Sequence, residues 1–319
     1  MIKKIKTGIL TPLNVIAQPL ERLWSNEKDI KYLDMFPPIF IIGSPRSGTT
    51  VLYQLLCKHL QFGYINNFVS NWPKAPLTAT KLYKRFSKNS NPIELNSKFG
   101  NSSHMSGPSE YGEYWYRWFE KSHKFKFNNN NIKKLRIEIS GLTKIHQRPL
   151  IFKNVVHSMR ILALRKVFSD SVFIVLKRKK LDIAQSILNA RIHLYNDKNH
   201  PFSVVSSQDQ LDSKISYGRA IISQINSIYS NIDLAGNTLG MDKFIFVKYK
   251  DLCDNTEKIL KNIQNELEKR NQNIPFNKIK VPDKLKYSTG QKVSDEDYKL
   301  LKKEIEKIGK QRRNNKIHF

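Results

Sequence analysis

The hydrophobic pattern of the chain breaks into short apolar runs, each followed by a stretch of helical period. Residues 37–42 read PPIFII, a continuous apolar run behind two prolines, which predicts a strand buried on both faces. A glycine-flanked turn, GSPRSGTT, occupies residues 43–50, and Val51, Leu52, Leu55, Leu56 and Leu60 then recur at helical spacing. A second unit opens with LIFK at 150–153 and continues in a helical segment over 157–168, apolar at Met159, Leu162, Leu164 and Val167. SVFIVL at 171–176 predicts a third strand, followed by a basic turn and a helix over 181–191. FIFV at 244–247 predicts a fourth, with a helix over 256–267 behind it. Strands alternating with helices predict an α/β fold: a central parallel sheet flanked by helices on both faces.

Residues 61–149 and 192–240 are polar and aromatic with no clear period. They are expected to be irregular insertions at the carboxyl ends of the strands, where ligands bind in such sheets, and the asparagine run 128–131 is expected to be a loop. Ser294 and Asp297, at capping-box spacing, open a terminal helix over 294–310. The chain divides into an N-terminal basic segment, 1–36, and one α/β domain, 37–319.

Charge adds a second layer. Lys and Arg number 55 against 27 Asp and Glu in 319 residues, a formal net charge of +28. Such an excess suits a polyanion, acidic lipid or phosphorylated ligand; it equally fits a Lys- and Asn-rich composition poor in acids. The bases are spread along the chain, with denser runs at 121–136 and 299–313, rather than clustered on one element among aromatics, so no nucleic-acid partner is expected. The mixed Lys/Glu run near the C-terminus reads as a solvated helix face. With 4 Trp, 13 Tyr and 17 Phe the chain is not a disordered one. The two cysteines, Cys57 and Cys253, make no metal-ligand spacing, so no metal site is expected. Cys57 falls in a helical apolar pattern and is expected in the core. The N-terminal MIKKIKTGIL is followed by apolar residues interrupted by Pro12, Asn14, Gln18 and Pro19, too short and broken to span a bilayer; packing onto the domain, or a short interfacial helix, is expected instead. A cytoplasmic location is expected.

Residues 43–50 have the frame G-x-x-x-x-G-x-[ST]. Backbone N–H groups in such a turn point into a concavity, and the following helix N-terminus favours an anion. A nucleoside-triphosphatase carries lysine where this chain has Thr49, and the cation sits earlier, at Arg46. This argues against ATP or GTP hydrolysis and for a single phosphate at the loop. The expected phosphate-binding residues are Pro45, Arg46, Ser47, Gly48, Thr49 and Thr50.

The segment around this loop resembles the 5′-phosphosulfate loop of the sulfotransferase family, whose members use 3′-phosphoadenosine-5′-phosphosulfate as sulfuryl donor and release 3′,5′-ADP. The family holds the 3′-phosphate with an Arg just after a central strand and a Ser eight residues later. Arg178 and Ser186 stand at that spacing, although Lys179-Lys180 replaces the family's usual Asp-Pro. A guanidinium fork and a hydroxyl converging on one phosphate is sound chemistry. Residues 150–168 resemble the family's lysine-bearing strand and helix, with Lys153 as the matching lysine. Tyr249-Lys250-Asp251-Leu252 resembles its Y-x-D-L, read as a structural turn, and 284–290 is a further nucleotide-binding candidate.

The resemblance implies sulfuryl transfer to an acceptor hydroxyl by in-line displacement, without a metal. Arg46 and Lys153 are candidates for stabilising the sulfonate and leaving group, though Lys153 also fits a surface lysine. Some relatives place a glutamate about twenty residues after the loop; here FGYINNF supplies none. GPSEYGEYWYRW at 107–118 offers Glu110 and Glu113, three apart on one expected helix face. Their aromatic neighbours could desolvate a carboxyl and stack on a sugar ring, or could simply pack inward. His157 is the third candidate base, or a residue that orients a neighbouring strand. The order of preference is Glu110, Glu113, His157. The acceptor is expected to be a small molecule or glycan, on a carbohydrate or lipid; aromatic insertions and a basic surface would suit an anionic glycan. Two rivals remain: a P-loop nucleotide kinase, which calls for lysine at 49 and magnesium, and a non-catalytic polyanion-binding protein.

Overall fold

The computed structural model describes residues 17–87, 93, 97–98, 101–102, 104–120, 125–126, 128–287 and 289–316. The basic start of the chain up to residue 16, and part of the 121–136 basic run, lie outside the described residues.

Four parallel strands form the central sheet: β1 (Ile39–Gly43), β2 (Ile151–Lys153), β3 (Val172–Lys177) and β4 (Phe244–Lys248), in the order β2-β1-β3-β4. Each falls within a residue or two of the apolar run that predicted it. The continuous runs have a structural cause, because both sheet faces are covered. Phe40, Ile42, Phe173 and Val175 point to one side and join a cluster with Leu135, Ile139, Ile228 and Ile232. Ile39, Ile41, Ile174 and Leu176 point to the other and meet Leu52, Leu55, Leu260 and Ile263. The alternation follows from the two-residue period of a strand. Cys57 is buried, as expected of a core residue. Among the described residues no helix is long and apolar enough to cross a membrane.

The regions expected to be irregular hold three well-formed helices: Pro76–Phe86, Asn129–His146 and Tyr217–Leu239. The asparagine run is the start of the second, not a loop: the Asn128 side chain caps it by accepting from the Asn131 N–H at 2.6 Å. Tyr217–Leu239 joins the sheet core with one face and, with Ile221, Ile222 and Ile225, packs on Lys180–Tyr195 and Asp295–Lys316 with another. The segment 157–168, expected as one helix, is a 3-10 turn, Val155–Met159, and then a helix, Ile161–Val167.

Residues 17–36 lie on this frame. Leu33 joins the core, Lys144 pairs with Asp29 at 2.9 Å, and buried Glu21 caps the helix Pro76–Phe86, which lacks a capping side chain of its own. Glu21 accepts from the N–H groups of Leu77 and Thr78 (2.8 and 2.9 Å) and from the Thr78 hydroxyl (2.9 Å). Burial pushes its carboxyl up to about 7, with the Thr78 and Leu77 bonds pulling the other way. A carboxyl that holds its proton more tightly folded than unfolded makes stability fall as pH rises between the two values. Urea unfolding of the wild type should therefore lose stability, relative to Glu21→Gln, as pH rises from 4.5 to about 7; parallel curves for the two proteins across that range would contradict this assignment.

Candidate active site

In a doubly wound sheet of order 2-1-3, ligands bind outside the carboxyl ends of the strands at the β1/β3 switch point. Here each of the four strand ends delivers one component to that place. β1 runs into the 43–50 loop, β2 ends on Lys153, β3 is followed by Arg178, and β4 is followed by Tyr249. All four contribute to the wall of one cavity of about 380 Å³.

The loop is anchored beneath. Ser158 accepts from the Gly43 N–H (2.9 Å) and donates to the Gly43 carbonyl (3.0 Å), fixing the point where β1 ends. Arg46 then takes φ 64°, the left-handed region, which a side chain adopts only when its surroundings hold it there. Two contacts hold it: Arg46 Nε donates to Ser186 Oγ at 3.0 Å, and Arg178 Nη1 donates to the Arg46 carbonyl at 3.0 Å. The two motifs expected to hold phosphate, more than 130 residues apart in sequence, thus touch directly. Burial and the neighbouring Arg178 charge lower the Arg46 pKa.

Gly48 has φ 102°, and a Cβ there would lie 2.3 Å from the Tyr249 ring. That contact explains both the glycine and the tyrosine. Tyr249 starts the short helix Tyr249–Asp254, presses on the loop, and carries the Arg178 guanidinium 4.7 Å from its ring centroid. Asp182 steadies the same guanidinium from one helical turn away at 3.9 Å and accepts a hydrogen bond from Tyr287 at 2.7 Å. Burial pushes the Tyr249 phenol up to about 12, so it stays neutral.

Pro45, Arg46, Gly48, Thr49, Thr50, Arg178 and Ser186 line the cavity. Ser47 does not; it is fully buried under the loop. Lys153, only 3% exposed, donates to Thr50 Oγ1 at 3.0 Å and pairs with the Glu110 carboxylate, so it is not a surface lysine. The Glu110 backbone carbonyl accepts from Asn154 at 3.4 Å, and Glu110 itself faces the cavity.

Glu113 and His157 do not join this group. Tyr111 takes φ 54°, so the helical turn Gly112–Trp115 begins after Glu110 and the two glutamates do not share a helix face. Glu113 faces a neighbouring cavity. His157 is fully buried edge-on against Trp115 (4.5 Å) and Phe40 (5.4 Å), outside the cavity wall. Burial, with the nearby Arg160, pushes its pKa well below the usual imidazole value, so it is a poor proton acceptor. Residues 284–290 run alongside: Tyr287 lies near Arg178, and Gln185 bonds the Gly290 carbonyl, but Ser288 lies outside the described residues.

Tyr249, read from the sequence only as part of a structural turn, lines the cavity. Tyr195, Phe202 and Ser203 also line it and escaped the sequence reading, because they lie on or beside a connection with no local motif.

A family model described as "Sulfotransferase family" matches residues 37–270. The chain belongs to the sulfotransferase family. Solved structures with a similar fold include sulfotransferase STF9 from Mycobacterium avium, 16% identical with TM-score 0.48, over 75% of this chain and 66% of that one, just under two thirds of its length. Sulfotransferase STF1 from Mycobacterium tuberculosis H37Rv is 14% identical with TM-score 0.46, over 85% of this chain and 73% of that one. No curated protein matches. Family membership places the chain among the transferases.

The close approach at Gly48 makes this sulfotransferase fold sensitive to one methyl group. Gly48→Ala should destabilise by about 1–3 kcal/mol through the positive φ alone, and more from the Tyr249 clash. Adding Tyr249→Ala should recover part of the loss in urea unfolding; strictly additive losses would contradict the contact.

Proposed function

We infer that this protein transfers a sulfuryl group from 3′-phosphoadenosine-5′-phosphosulfate to an acceptor hydroxyl. The observation that carries the reading is the direct contact of the two phosphate motifs, Arg46 with Ser186 and Arg178 with the Arg46 carbonyl. One ligand bearing phosphates on both the 3′ and 5′ oxygens of its ribose would use both. The positive-φ cradle at Gly48, with Thr49 and Thr50 opening the helix Thr49–His59, fits the 5′ end. Arg178, held by Asp182 and Tyr249, and Ser186 fit the 3′-phosphate.

The donor would supply the sulfur electrophile. Glu110 takes the proton of the acceptor hydroxyl, whose oxygen forms the new bond to sulfur as the bond from sulfur to the bridging phosphate oxygen breaks and 3′,5′-ADP leaves. Lys153 and Arg46 place positive charge where negative charge builds on the sulfonate and the leaving oxygen. The Lys153–Glu110 pair keeps the carboxylate at the cavity rather than turned to solvent. The kinase alternative calls for a lysine where Thr49 stands, and the polyanion-binding alternative gives no role to the pairing of buried Lys153 with Glu110.

Isothermal titration with 3′,5′-ADP and transfer assays with labelled donor test this. Removing a charged hydrogen-bonding partner costs about 1.5–3 kcal/mol, so Arg178→Ala should weaken the nucleotide by about 10-fold or more and Ser186→Ala by less. Glu110→Gln should leave nucleotide binding intact and lower turnover by about 10²–10⁴-fold. Absence of nucleotide binding by the wild type, or full turnover by Glu110→Gln, would overturn the reading.

A further inference from the structure

A second cavity, of about 640 Å³, opens beside the first. The two share Ser203, held at φ 65°, and successive residues divide between them: Val155 faces the first and Val156 the second. Glu110 lines the first and Glu113, three residues on, lines the second. The second cavity therefore adjoins the one lined by the carboxylate assigned above as base.

Its chemistry is the reverse of its neighbour's. The first is walled by three cations, Arg46, Lys153 and Arg178, with Glu110 among them. The second is walled by Tyr116, Phe119, Val156, Val204 and Val205, and among the described residues its charged side chains are two acids, Glu113 and Glu120, with one base, Lys126. Over the chain bases outnumber acids about two to one, whereas among the described residues of this wall the acids outnumber the base. The Arg160 guanidinium lies 4.3 Å from the centroid of Phe119 and 5.5 Å from that of Tyr116. That buried cation already engages the π-systems of these rings, which disfavours a second cation on their open faces.

We propose that this second cavity is the acceptor site and that it takes a neutral alcohol or phenol with an apolar body, not an anionic glycan. The apolar wall removes hydrocarbon from water, Glu113 and Glu120 repel carboxylates and sulfates, and the shared Ser203 sets this cavity against the one that Glu110 lines. The +28 charge of the chain then does not select the acceptor. The proposal rests on the sulfuryl-transfer reading above.

The test uses the full chain saturated with 3′,5′-ADP, so that nucleotide binding is verified first and its failure counts against the donor reading alone. Three probes are titrated by calorimetry: 2-naphthol, decan-1-ol and an unsulfated heparosan tetrasaccharide, whose uronates make it anionic. At least one neutral alcohol should bind about 10-fold or more tighter than the tetrasaccharide. Val205→Asp, at a partly exposed wall position, should weaken that alcohol about 5-fold or more with nucleotide affinity unchanged. Glu113→Gln should improve tetrasaccharide binding. Tighter binding of the tetrasaccharide by the wild type, no binding of either alcohol, or an alcohol affinity indifferent to Val205→Asp would overturn the proposal.

Discussion

Two guanidinium groups held next to each other are the constraint on which this site depends. Arg46 and Arg178 carry like charges, and burial lowers the Arg46 pKa further. The fold meets that cost with a lattice of polar contacts: the Arg46 carbonyl accepts from Arg178, Ser186 accepts from Arg46, and Asp182 and the Tyr249 ring flank Arg178. An anion shared by the two cations lowers their repulsion most where water is scarce. The left-handed backbone at Arg46 belongs to the same arrangement, because it turns the carbonyl towards β3 and the side chain towards the following helix.

The sheet supplies the geometry. With strand order β2-β1-β3-β4, the loop after β1 and the cation after β3 are neighbours at the edge where the connections diverge, and β2 and β4 bring Lys153 and Tyr249 from either side. Apolar side chains cover both faces so thoroughly that chemistry is confined to the strand ends. Two polar residues that reach into the core serve as fasteners: Ser158 on Gly43, and Tyr229 donating to the Leu176 carbonyl at 3.0 Å.

Much of this was legible in the sequence for a physical reason. Strands buried on both faces are continuous apolar runs, and the glycines of the 43–50 turn are fixed in spacing by backbone geometry. Tyr217–Leu239 escaped because it serves two cores and so carries small and polar residues between its isoleucines. Asn129–His146 escaped because its capping asparagine sits in a run that reads as a turn. Glu110 and Glu113 looked like a pair until the positive φ at Tyr111 separated them, and His157 looked reactive until Trp115 and Phe40 enclosed it. Residue type gave the candidates; only backbone conformation and burial distinguish a group that meets the cavity from one that does not.

The most direct test of the central claim is a crystal structure of the protein with 3′,5′-ADP. The account predicts the 5′-phosphate within the 43–50 loop against the N–H groups opening the helix Thr49–His59, and the 3′-phosphate between Arg178 and Ser186, with the Arg46–Ser186 hydrogen bond exchanged for contacts to the nucleotide. A nucleotide seated away from the β1 and β3 ends, or one that leaves Arg178 untouched, would contradict it.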